Sequence, residues 1–379
     1  MTVLLHDTPW IWLSSDDISS LPQIGASRSS LHHTMKRFNP TSLSLLALAA
    51  LSVGSVHGQE DQLPVSRTAG VLNVTLPINQ TSLVSIPMVT IVASGKITSV
   101  SGTTLGVSAT LGTLTAPHAI KITSRDDQRG TGTNAPTGTS TTAYGQSSRL
   151  ASNTASTVVT NAALTPNVGD EFIIYELETL STLFGAPPAT GWNTTTGAAG
   201  SDLVYLDNAG AVVAYFYKTG GLGGTGWKLA TAPTGADQGA KVIEPGHAVL
   251  IQRRNSGSAF SLRSIGVTTI GREAPSVVAG FNIVNNPFSV STTLAASGVS
   301  TYVTGSTGAA SADTIYIESA GVLNSYFFKT GGLGGTGWRL TSAPTGADQG
   351  GVVLTAGKSI LFREQAGAVG FALPEPFAE

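Results

Sequence analysis

The chain reads as all-β: an N-terminal β-domain followed by two tandem homologous antiparallel domains, each a β-sandwich or small barrel. Three observations predict this. Short runs of β-branched and aromatic residues recur between Gly, Pro, Asn and Asp turn signals. Tyr215–Gly239 (YFYKTGGLGGTGWKLATAPTGADQG) returns as Tyr326–Gly350 (YFFKTGGLGGTGWRLTSAPTGADQG), differing only at Tyr217/Phe328, Lys228/Arg339, Ala230/Thr341 and Thr231/Ser342. Helical character is confined to a turn or two near Leu180–Phe184. The period from Tyr215 to Tyr326 exceeds the roughly 20–50 residues of solenoid and propeller repeats, so each copy is a small domain with its own core.

Taken in order, residues 1–34 show no sustained period and are expected to be an upstream extension. Met35-Lys36-Arg37 opens a second start, followed by the apolar run Leu43–Val53 and the small pair Val56 and Gly58. That is the order of a secretory signal peptide, placed at 35–58. The run Leu43–Val53 is too short for the ~20 residues of a spanning helix. The expectation is export to the periplasm, cell surface or extracellular space, with no membrane span and a mature chain beginning at Gln59.

The N-terminal β-domain is expected over 59–168. Its strands are Gly70–Leu76 and Leu83–Ile86, a hairpin of Val89–Val100 and Thr104–Val107 about Ser101-Gly102, and Ser156–Val159. Residues 125–146, rich in Gly, Thr and Ser, read as a long loop. Glu171–Leu177 is a strand that either closes this domain or opens the first repeat. The repeats are expected at 169–268 and 280–379, aligned without gaps so that Leu183 matches Leu294. In the first, Leu203–Leu206 and Val212–Lys218 flank the turn Asp207-Asn208-Ala209-Gly210. Trp227–Leu229, Lys241–Ile243, Ala248–Gln252 and Ala259–Leu262 follow as strands, with turns at Glu244-Pro245-Gly246 and Asn255-Ser256-Gly257.

Composition limits the chemistry. Charged residues are 11% of the chain and the net charge is −2, which argues against nucleic acid as a partner, since phosphate binding needs clustered cations. The absence of cysteine excludes thiol catalysis, disulfides and zinc–cysteine sites. Behind the signal segment only His118 and His247 remain, far apart and without a second histidine at ligand spacing, so a His metal site or Ser-His-Asp triad is hard to assemble. No cofactor is expected. Gly221, Gly223 and Gly226 satisfy GxGxxG, as do Gly332, Gly334 and Gly337, but a dinucleotide site needs a helix immediately afterwards. Trp227-Lys228-Leu229 instead continues as strand, so the glycines are read as a flexible hairpin connection. Asp237 and Asp348, in identical TGADQG turns, supply one carboxylate each, thin for calcium. Glu171, Glu176 and Glu178 lie close together, the last two on one strand face, but the gapless alignment sets Asn282 and Pro287 against Glu171 and Glu176, so no glycosidase pair is duplicated. Asn73, Asn79 and Asn193 match the N-glycosylation pattern, which recurs by chance.

The candidate ligand-facing residues are aromatic. Tyr215 and Tyr217 share a strand face with Trp227 across the loop, and Tyr326, Phe328 and Trp338 repeat them. Such rings stack on sugars when exposed and fill a core when buried.

AGVLNVTLPINQTSLVSIPMV (Ala69–Val89), KITSVSGTTLGV (Lys96–Val107), VGDEFIIYELETLSTLFG (Val168–Gly185), AGFNIVNNPFSVSTTL (Ala279–Leu294) and the two YF[YF]K…GW[KR] blocks together resemble an uncharacterised family of secreted β-rich bacterial proteins from Verrucomicrobia and relatives. The resemblance spans most of 69–373, rests on structural motifs, and implies export without implying an activity or a site residue. Two readings of function follow. The first is a non-enzymatic structural or adhesive protein of the cell surface, with self-association or the cell envelope as partner. The alternative is a carbohydrate-binding module or accessory to polysaccharide degradation, acting on envelope or extracellular glycans through the six aromatics. Mass spectrometry of the native protein is expected to find a mature N-terminus at Gln59; one upstream of Met35 would overturn the export reading.

Overall fold

The computed structural model describes residues 69–124, 143–254, 257–268, 272–286, 291–365 and 371–373. The extension 1–34, the signal segment 35–58, loop residues 125–142 and Asn255-Ser256 lie outside the described residues, as does 374–379.

Three short strands, β1 (Ala69–Leu76), β2 (Thr81–Val84) and β3 (Met88–Val89), precede a six-stranded unit. This comprises β4 (Ile91–Ser101), β5 (Thr104–Val107), β6 (His118–Ile122), β7 (Ser147–Asn153), β8 (Thr157–Thr160) and β9 (Glu171–Glu176). They close in the order β4-β5-β8-β7-β6-β9 as an antiparallel barrel. Alternation sends Ile97, Leu105, Ile120, Ile122, Val158, Phe172 and Ile174 to its interior. Register shifts at Ile91/Ala93 and Ile97/Ser99 bend β4 so that it pairs with β9 along its first half and β5 along its second. Sequence patterning missed β6 and β7. HAIKI is buried at every position, so it has no alternation to show, and SSRLASN is mostly polar.

The helix α1 (Leu180–Phe184) begins where Thr179 and Thr182 form a reciprocal capping box. Then come β10 (Leu203–Asn208), β11 (Ala211–Lys218), β12 (Gly226–Leu229), β13 (Val249–Gln252) and β14 (Phe260–Thr268). Ala209 and Gly210 both have positive φ, 49° and 82°, the two-residue hairpin turn that matches strand twist. The strand expected at 241–243 is a single bridge between Thr179 and Val242. The second copy contributes β15 (Gly280–Val284), β16 (Thr292–Thr293), β17 (Thr314–Ser319), β18 (Val322–Thr330), β19 (Thr336–Leu340), β20 (Val353–Leu354) and β21 (Ile360–Glu364).

Each copy carries a five-stranded sheet, β2-β13-β10-β11-β12 in the first and β15-β21-β17-β18-β19 in the second. In the first copy a three-stranded sheet, β1-β14-β3, contributes Leu76, Phe260 and Leu262 to the core it shares with Val204, Val249 and Ile251 of the larger sheet. The second copy closes its core with Leu294, Val299 and Leu354 beside the two-stranded β16-β20.

The outer edge strand of the first large sheet comes from an unexpected place. Thr81, Ser82, Leu83 and Val84 pair with Gln252, Ile251, Leu250 and Val249. Phe281, Asn282, Ile283 and Val284 pair with Arg363, Phe362, Leu361 and Ile360, the same positions one repeat period on. β2 therefore holds in the first sandwich the register that β15 holds in the second. The strand one repeat period before β15 is β9, and it belongs to the barrel. The barrel is thus an insertion within the first sandwich, which is discontinuous in sequence, instead of a domain that ends at 168. The gapless alignment also fails at α1: Leu180 N–H donates to Lys241 O as Leu294 N–H does to Val352 O, so Leu180, not Leu183, is the counterpart of Leu294.

The two large sheets meet through their outer faces. Leu83 with Ile283, Leu250 with Leu361, Tyr205 with Tyr316, and Val212 with Leu323 share one cluster, and each pair holds equivalent places in the two sheets. Ile86 N–H donates to Asn285 Oδ1 (2.8 Å) and Asn286 N–H to Ser85 Oγ (2.8 Å). Ser85 N–H donates to Gly357 O and Asn285 N–H to Gly246 O. Each contact has its reciprocal, the signature of an internal two-fold relation.

One polar group joins the two parts of the first sandwich. The buried Arg253 guanidinium donates to Asp202 Oδ2 (2.8 Å), Leu76 O (3.0 Å), Gly191 O (2.6 Å) and Ser258 O (2.9 Å). Asp202 also accepts from the backbone of Asn193 and Arg254. Asp313 repeats only the backbone contacts, from Thr304 and Gln365, with Glu364 standing where the first copy has Arg253. Asp202→Asn strips a buried guanidinium of its counter-charge, an expected loss of about 3–5 kcal/mol. Asp313→Asn should cost less, about 1–3 kcal/mol for weakened charged hydrogen bonds. Urea unfolding of the two variants checks the order.

Candidate functional site

The six aromatics nominated by the sequence are core residues. Tyr215, Tyr217 and Trp227 are 3%, 4% and 0% exposed, and Tyr326 and Trp338 7% and 2%; Phe328 packs half-buried on the second core. Tyr217 lies opposite Trp227 in the β11–β12 register, with rings 5.6 Å apart and edge-on. Phe328 and Trp338 repeat the contact at 5.4 Å. Trp227 Nε1 donates to Gly185 O (3.0 Å), and burial pushes the phenols of Tyr215 and Tyr326 above the ordinary tyrosine range. The reason is geometric: the inner face of β11 fills the sandwich core while Val212 on its outer face packs in the seam. Neither face is free for sugar stacking, which corrects the platform expectation.

What the same hairpins do expose is their loops. Leu222 is 82% exposed and Leu333 81%, the two most exposed large apolar residues described. Each sits on a loop tied down from inside. Lys218, 3% exposed, donates from Nζ to Leu222 O and to Pro233 O; Lys329 does the same to Leu333 O and Pro344 O. Lys228 adds a bond to Gly235 O (2.9 Å), and Arg339 bonds to Gly334 O and Asp348 Oδ1. Gly223 has φ +89°, and a Cβ there would lie 2.5 Å from Thr234 Cα, so only glycine lets the loop lie against the 232–235 turn. The connection is a clamped finger, where sequence suggested a flexible link. Strand β12 follows it directly, leaving no helix N-terminus for a pyrophosphate.

A cleft of about 270 Å³ opens where the barrel meets both sandwiches, lined in part by Tyr175, Glu176, Glu178, Glu244, His247 and Glu273. It gathers Glu176 and Glu178 but leaves Glu171 outside. Three of its carboxylates are engaged: Glu178 by Thr182 Oγ1 (2.6 Å), Glu244 by Arg149 (3.5 Å) and Glu273 by Lys121 (2.9 Å). Burial, with the Glu273 charge second, pushes the Tyr175 phenol well above its usual range. Asp237 stays exposed at its turn, and the carboxylate of Asp348 is met by Arg339 at 2.9 Å. Among the described residues no three His, Asp or Glu side chains group as metal ligands.

No family model, curated protein or solved structure matches the chain.

The sequence signal for the fingers was the near-identity of GGLGGTG and its flanking Lys in both copies; the clamp itself, a lysine turned inward, was not legible. Lys218→Met removes charged hydrogen bonds worth about 1.5–3 kcal/mol each. The two bonds together are worth about 3–6 kcal/mol, so thermolysin cleavage before Leu222 should accelerate by about a hundredfold or more relative to the native loop, since cleavage follows local opening.

Proposed function

We propose that the protein is an exported, non-enzymatic structural or adhesive component of the cell surface that makes contact through its paired loop fingers. The observation that carries this reading is the duplicated clamp. In two places the fold buries a lysine to hold a glycine loop, and each time it leaves a leucine projecting into solvent. Exposing a large apolar side chain forgoes about 1.5–3 kcal/mol of burial, and a clamped loop loses little further entropy when it docks. Two such fingers on one chain also bind bivalently, which strengthens weak contacts without new ones. With five of the six aromatic rings buried and Phe328 half-buried on the second core, the carbohydrate-binding alternative has no exposed ring platform in its support.

The double variant Leu222→Asp/Leu333→Asp tests this. Both sites are exposed, so stability should change by no more than about 0.5 kcal/mol each. Sedimentation velocity and cell-envelope fractionation are expected to show self-association or envelope retention for the wild-type chain and its loss in the variant. A variant that behaves as wild type would overturn the reading, and specific capture on a glycan array would restore the alternative.

A further inference from the structure

The two-fold relation between the sandwiches places two charged pairs at equivalent positions. Asp207 and His247 form one, with Nδ1 2.7 Å from Oδ2. One repeat period on, Glu318 and Lys358 form the other, with Nζ 2.5 Å from Oε2. Both join the strand that ends at the hairpin turn, β10 or β17, to the residues just before β13 or β21. One pair carries a permanent cation at neutral pH and the other an imidazole, the group that changes charge between about pH 5 and 8.

The two pairs differ in what else they hold. The Lys358 side chain is 29% exposed. That of His247 is 9% exposed, and its second nitrogen, Nε2, lies 3.2 Å from Ser276 O. Ser276 adjoins Val277, a residue of the second core. The ring therefore spans the seam, from a carboxylate of the first sandwich to a carbonyl anchored in the second. Both neighbours are acceptors. An imidazolium, with a positive charge and a proton on each nitrogen, is drawn to both; a neutral ring keeps a proton for one, turns a lone pair toward the other and gives up the charge attraction to Asp207. The backbone beside it crosses the same seam, with Ala248 N–H donating to Ile283 O and Asn285 N–H to Gly246 O.

We infer that His247 is a protonation-controlled staple between the two sandwiches, closing the seam when charged and loosening it when neutral, while the Glu318–Lys358 pair, both of whose residues belong to the second sandwich, offers no imidazole at the equivalent place.

The groups that act on the ring are Asp207 on β10, Glu244 on its own turn and the Ser276 carbonyl from the segment entering the second sandwich; Glu176 of β9, Glu178 and Glu273 line the same cleft. Burial pulls the imidazole down. The hydrogen bond and charge of Asp207, then Ser276 and Glu244, outweigh it and raise the net value above 6.5. Because the folded value is raised, the staple's contribution is fully present below the unfolded-state value of about 6.5. It is lost as pH rises through the folded value, by about tenfold in the closing equilibrium for each unit separating the two.

Hydrogen exchange on the full chain between pH 5 and 9, corrected for intrinsic rates, reads both sides of the seam. Protection of the Ala248 and Asn285 amides is expected to fall as pH rises. That of Ser85, whose amide donates to Gly357 O beside Lys358, should stay level. His247→Lys, which installs the second copy's cation, should fold, keep the pair and abolish the pH dependence. His247→Gln should hold the low protection at every pH. Equal pH dependence on both sides, none on either, or a His247→Lys variant as pH-sensitive as wild type would overturn the inference, as would an imidazole titrating in ¹⁵N spectra at or below 6.5.

Discussion

A guanidinium taken out of water must find acceptors for its donors, and in this molecule that requirement holds a discontinuous domain together. Arg253 lies at 2% exposure beside the rings of Trp192 and Phe260. Its acceptors come from both sides of the inserted barrel: Leu76 before it, and Gly191, Asp202 and Ser258 after it. Only when β1 has returned across the intervening residues to pair with β14 is the set complete. The charge thus acts as a register mark, rewarding one docking of the N-terminal strands and leaving other dockings with a buried cation short of partners. The backbone adds to it, with Arg253 N–H donating to Gln80 O on the approach to β2.

With β2 in place, the first sandwich presents the same outer face as the second. Two similar faces can pack by a two-fold operation in which every contact occurs twice, and the reciprocal bonds of Ser85-Ile86 and Asn285-Asn286 are that arrangement. Because equivalent apolar residues line both outer faces, the seam is self-complementary. Departures from that symmetry stand out. Glu364 occupies the place of Arg253 in the second sandwich, whose edge strand β15 runs on without an inserted barrel. His247 occupies the place of Lys358 where the ring reaches across to the other half.

The same logic separates the aromatic residues from the fingers. The inner face of a sheet in a sandwich is covered, so large rings on that face of β11, β12, β18 and β19 become core whatever their affinity for sugars. The loops between these strands leave the stack, and their residues meet solvent. The position of the seam, not the identity of the side chain, decides which of these residues a partner can touch.

By itself the sequence determined the class of fold, the duplication and most of the strands. α1, the Ala209-Gly210 turn and the first hairpin of the barrel all followed from local patterns: an apolar turn of helix, positive-φ residues, alternation broken by glycine. These are short-range properties, set within a few residues by backbone sterics and side-chain period. Three things were decided only by tertiary structure. Strand β2 carries TSLV where β15 carries GFNIV, and too little is shared for the barrel insertion to be read from residues alone. Leu222 and Trp227 are near neighbours in one repeated block, yet one projects into solvent and the other is sealed. His247 and Asp207 stand well apart along the chain, and nothing in either's neighbourhood marks them as a pair. Each outcome depends on which surfaces a second sheet covers, and that is a property of long-range packing, which no local pattern encodes.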